Sequence, residues 1–103
     1  MKKVPKEKAF YFFTSIGNYT GENASSLEEF LEKVKAIDSK SFEFHRCRGD
    51  FEKWIREVWG YEELAEKISK MTKLDLKEEA LRTYVYNIIS DFLKNWKGKS
   101  HVY

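Results

Sequence analysis

Phe42-Glu43-Phe44-His45-Arg46-Cys47-Arg48-Gly49-Asp50-Phe51-Glu52-Lys53-Trp54-Ile55 is the stretch that decides how this chain folds. From Phe51 onward, apolar residues fall at i, i+3, i+4, i+7 and i+8: Phe51, Trp54, Ile55, Val58 and Trp59. That spacing predicts an amphipathic helix with one face on a core. Gly49 breaks the element before it, and Asp50 is placed to cap the helix after it. Gly60 stands where a C-terminal cap glycine belongs. Upstream, Asp38 or Ser39 caps a short helix running through His45. A strand competes with that helix, because Phe42 and Phe44 alternate with Glu43 and His45.

Working outward, Ser26-Leu27-Glu28-Glu29 is a capping box, and Leu27, Phe30, Leu31, Val34 and Ile37 then recur at helical spacing. A helix is expected over 27–37. A further helix is expected from Tyr61 to Met71, with Leu64, Ala65, Ile68 and Met71 inward. Asp75 is expected to cap the last helix, with Glu78 in the boxed position. Its apolar stripe reads Leu81, Tyr84, Val85, Ile88, Ile89, Phe92 and Trp96, and it should end near Lys97-Gly98. Near the N-terminus, Phe10-Tyr11-Phe12-Phe13-Thr14 has strand preference but does not alternate with polar residues, so both its faces need cover. It forms a short strand, or a hairpin returning through Glu22 to Ala24. The expected fold is a mainly α, compact bundle of about five helices with this short N-terminal β element. Residues 1–8 are expected as a basic tail, 9–97 as a single helical domain and 98–103 as a C-terminal tail.

Composition narrows the function. The chain has 103 residues, 17% of them aromatic, enough for one domain with one core. No run of 18 apolar residues is present, so no membrane partner is expected. The basic N-terminus lacks the apolar core and cleavage site of a signal peptide, which points to the cytoplasm. On that reading the sequons at Asn18 and Asn23 stay unmodified. Lysine and glutamate are abundant and glutamine is absent, a thermophile-like balance. The net charge of +2 hides basic ends on a mildly acidic body. A phosphate-binding body would instead be basic across one face.

The elements Ser26-Leu27-Glu28-Glu29-Phe30, Phe42-Glu43-Phe44-His45, Arg48-Gly49-Asp50-Phe51-Glu52-Lys53-Trp54-Ile55-Arg56 and Gly60-Tyr61-Glu62-Glu63-Leu64-Ala65 go together. This set resembles a small domain family of archaea and bacteria with no assigned function. The resemblance covers roughly residues 9–96 and is most specific at 42–65. It implies a mainly helical domain, found alone or attached to larger proteins, and implies no reaction. Trp59 and Tyr61 depart from it, being aromatic where smaller or polar residues are expected.

His45 is the first candidate for chemistry. As a catalyst it needs a partner, and Glu43, Asp50 and Cys47 are the choices. As a strut it packs between helices and hydrogen-bonds the start of the Asp50 helix. A Cys47–His45 pair shares a face only on a strand and lacks a third orienting residue. Two histidines and one cysteine fall short of a closed zinc site, so neither metal nor cofactor is expected. Arg46 and Arg48 before a helix start form a candidate anion site, unless nearby acids pair with them. In Arg48-Gly49-Asp50, which matches an adhesion tripeptide, the aspartate is expected as a helix cap instead.

The preferred reading is a non-enzymatic interaction module that binds protein or itself through His45, Arg46, Arg48, Asp50, Trp59 and Tyr61. The first alternative is DNA binding by a helix-turn-helix-like C-terminal pair, with Lys77, Arg82, Tyr86 and Lys94 as contacts. The second is a small anion-binding or catalytic domain centred on His45 and Arg48.

Overall fold

Strand β1 (Phe10–Ser15) opens the fold and turns back at Ile16-Gly17 into β2 (Asn18–Ala24). A computed structural model describes residues 3–100, the side chains of Thr72 and of residues 96–100 excepted. The turn needs a positive φ, which Gly17 supplies at 82°. β1 alternates after all: Phe10 and Phe12 are buried, whereas Tyr11 and Phe13 are half-buried on the other face. On the second face Tyr19 of β2 lies against both rings at 5.6 and 5.4 Å and covers them only in part. The segment before β1 carries a 3-10 turn at Lys6–Lys8. Val4 N–H donates to the Ser25 carbonyl at 2.8 Å, and Trp54 Nε1–H donates to the Lys8 carbonyl at 2.8 Å.

Helix α1 (Leu27–Ala36) starts as its capping box dictates, with Ser26 Oγ accepting from Glu29 N–H at 3.1 Å. Glu29 reaches back one residue further than expected, accepting from Ser25 N–H at 2.8 Å. α2 (Ser39–Arg48) settles the helix-or-strand alternative as a helix, capped by Asp38 on Lys40 N–H at 2.7 Å. Its buried face is Ser41, Phe42 and His45, too polar to read as a stripe.

Gly49 ends α2 and starts α3 (Asp50–Trp54) with a single left-handed residue at φ 72°. Its N–H bonds back to the Arg46 carbonyl, and its own carbonyl accepts from Lys53. Gly49→Ala forces a side chain into the left-handed region and brings a methyl within 3.4 Å of Glu52 Oε2. We expect a loss of roughly 1–2 kcal/mol in a urea titration, with Gly49→Asn losing less.

α3 runs straight into a π-helical turn, Ile55–Trp59, closed by Gly60 at φ 73°. The sequence pattern anticipates a uniform α-helix here. In the wider turn, residues advance around the axis by a smaller angle, so Val58 and Trp59 lag behind the buried stripe and stay half-buried. α4 (Glu62–Thr72) buries Leu64, Ala65 and Ile68. α5 (Glu78–Ser100) crosses α1 and α4.

Three features of α5 differ from expectation. Asp75 is not its cap: the helix starts at Glu78, whose carboxylate binds Arg82 Nε at 2.8 Å instead of closing a box. Tyr84 is 43% exposed, and the buried line is Leu81, Val85, Ile89 and Leu93. A strict i, i+4 line needs no residue at Tyr84 once α1 and α4 have packed on it. The helix also runs through Gly98, which costs a helix about 1 kcal/mol against alanine and does not end this one. The expected inward position of Trp96, and the tail with His101, lie outside the described residues. Buried residues from Phe10 to Leu93 form one hydrophobic cluster, and Phe10 sits in its aromatic heart. Rings of Phe12, Phe30, His45, Phe51 and Trp54 lie 4.8–5.5 Å from it.

Candidate functional site

His45 stands on the last turn of α2 with 4% of its surface exposed. Its Nε2 accepts from Phe13 N–H at 2.9 Å, and its Nδ1 lies 2.8 Å from Asp50 Oδ2. A backbone N–H only donates, so Nε2 is the bare nitrogen and Nδ1 carries the proton given to Asp50. The imidazole therefore bolts the edge of β1 to the α2–α3 junction. This also corrects the expected role of Asp50. Its carboxylate does not cap α3; it is turned toward His45 and also forms an ion pair with Arg48, with Nε at 3.2 Å. Gly49 takes over the junction, and its left-handed bend brings residues 45 and 50 face to face.

Burial among phenylalanines holds the His45 imidazole below its ordinary value of 6.5, and Asp50 opposes this only in part. The sign follows directly. Above pH 6.5 both folded and unfolded chains carry a neutral His45, and its contribution is complete. Below that value the unfolded chain binds a proton first, so stability falls as the pH drops toward the lower folded-state value. Urea midpoints should decline over this window. Glu29 and Glu78, held low by hydrogen bonds from Lys3 and Arg82, enter only below their ordinary value of 4.5.

Beside the imidazole lies a groove of about 440 Å³ between the hairpin, α2 and the π turn. Phe13, Phe44, Trp54 and Val58 wall it. Ile16, 84% exposed, stands on its lip at the hairpin tip. Arg48, Asp50, Lys53 and Glu57 edge it. The Arg48 guanidinium lies 4.9 Å over the Phe44 ring, fixing one side of the mouth. Comparison with protein families matches residues 5–102 of the chain.

The chain belongs to DUF5752, a family of unknown function.

No curated protein and no solved structure matches it. The match reaches beyond both ends of the 9–96 resemblance. For this DUF5752 chain the residues singled out from sequence fall into separate places. His45, Arg48 and Asp50 meet at the groove. Arg46 points away from it, held by Glu43 through two bonds of 2.8 Å. Cys47 is exposed, because a helix turns residues 45 and 47 to different sides. Trp59 and Tyr61 stack on each other at 6.2 Å, and Tyr61 packs on Phe92 of α5 at 4.9 Å, extending the core away from the groove.

The proposed nucleic-acid contacts do not converge either. Arg82 donates to the Val34 and Ile37 carbonyls at 2.8 and 2.7 Å. Tyr86 lies under Lys35 at 5.4 Å, and Lys77 and Lys94 are exposed about 25 Å apart along α5. Sequence reading missed Ile16, Phe44, Lys53, Glu57 and Val58 as groove residues. The available signals were Ile16, an apolar residue at a turn, and Phe44, which lies off every helical stripe.

Proposed function

We propose that this DUF5752 chain is a non-catalytic protein-docking domain of the cytoplasm that seats an apolar side chain of its partner in the aromatic groove. One observation carries the reading. The half-exposed Phe13 and Phe44 and the exposed Ile16 surround a recess in which both His45 nitrogens already hold bonds. Apolar walls with a polar, charged mouth favour protein recognition, where aromatic anchors carry most of the energy. A general base needs a nitrogen free for substrate, and Nε2 is committed to Phe13 N–H. Anion capture is disfavoured by the acids already seated on Arg46 and Arg48. The exposed lone thiol of Cys47 suits a reducing compartment. DNA binding through α5 has less support, since Arg82 is spent inside the fold and Glu78 and Glu79 occupy the first turn.

A photo-reactive phenylalanine analogue in place of Ile16 tests this. Irradiation in cells should join the chain to a discrete protein, and the same analogue at exposed Tyr84 should not. Absence of any adduct from position 16, or equal adducts from both positions, would end the reading.

A further inference from the structure

We infer that the groove is filled by a second copy of this chain, each hairpin tip seating Ile16 in the other's groove about a two-fold axis; this rests on the groove being a docking surface. Plug and socket lie on the same patch. Ile16 is 84% exposed and belongs to the rim of the recess that would receive it. An isologous dimer requires such a self-complementary patch, because each element of it meets its counterpart twice. The tip is also bare: nothing lies within 4 Å of the position a Gly17 Cβ would take, so Ile16 leads without a neighbouring side chain in its way.

The charges around the mouth carry the choice of occupant. Arg48 and Lys53 are matched by Asp50 and Glu57, two of each sign. A partner of one strong charge would find half of these repulsive. A second copy brings two charges of each sign to the same mouth, so each of the four has an opposite charge available across the contact. Lys53 and Glu57 matter most, because both are exposed and neither makes an ion pair among the described residues. Arg48 and Asp50 already hold each other at 3.2 Å. The inferred dimer would pair Lys53 of one copy with Glu57 of the other, the two rim charges left open for it.

Sedimentation equilibrium on the full chain, from micromolar to near-millimolar concentration, is the decisive measurement. The weight-average mass should climb toward twice the chain mass. Ile16→Asp should remain a monomer throughout while melting like the parent. Lys53→Glu, and separately Glu57→Lys, should weaken association about ten-fold or more by setting like charges together. The double exchange Lys53→Glu/Glu57→Lys should restore it. A parent chain that stays monomeric, an Ile16→Asp variant that still dimerises, or a double exchange without recovery each overturns the inference. A monomer that still forms a position-16 adduct with a different protein leaves the docking reading standing and removes only the second copy. A monomer with no adduct removes both.

Discussion

His45→Ala should lose about 4 kcal/mol of folding stability, close to the margin that holds a small domain together. Truncating an aromatic-sized side chain in a packed core costs about 3–5 kcal/mol by itself. The variant also leaves Phe13 N–H without an acceptor and Asp50 without its imidazole, although Arg48 still holds the carboxylate. His45→Phe separates the two effects. It keeps the ring among Phe10, Phe12 and Phe44 and forfeits both hydrogen bonds, so it should lose about 2 kcal/mol. The same variant should flatten the decline in urea midpoint below pH 6.5, since the titrating group is gone. A His45→Ala protein as stable as its parent would show that the imidazole is not a strut.

Arg82→Met should destabilise the fold by about 2–3 kcal/mol, the range for hydrogen bonds from a charged donor. Arg82 ties three elements together. Its guanidinium donates to the carbonyls at the end of α1 and to the Glu78 carboxylate, and lies 5.1 Å over the Phe42 ring of α2. With only 17% of its side chain exposed, it has little to offer a phosphate. Arg82→Lys should recover little, because one ammonium does not reproduce the planar fork that reaches both carbonyls and the carboxylate. Guanidinium titrations of the three proteins read this directly. On the DNA-binding reading, the same variants would keep their stability and instead flatten the salt dependence of binding.

The two residues illustrate what pattern reading reaches. Arg82 and Glu78 form a visible i, i+4 pair, yet the carbonyls that Arg82 closes lie 48 and 45 positions away. His45 was legible as a strut touching the Asp50 helix. Its second bond, to Phe13 across 32 positions, was not. α2 stayed undecided between helix and strand because its inward face carries Ser41 and His45, which no hydrophobic period registers. The cap expected of Asp50 does not form, because an imidazole only five positions upstream competes for the carboxylate once Gly49 bends the chain back.

By itself the sequence determined the local parts. It set the α1 cap at Ser26, the buried stripe from Phe51 to Ile55 and that from Leu64 to Ile68, though not Met71, which is half-buried, the breaks at Gly49 and Gly60, and the burial of Trp54, because each depends on residues within about one or two helical turns. Tertiary structure alone decided the π turn after Trp54, the outward face of Tyr84, the His45 bridge and the groove. The bridge and the groove arise where β1, α2 and the α3–π segment meet, and Tyr84 turns outward where α1 and α4 pack on α5; no periodicity encodes the distance between elements that only packing brings together.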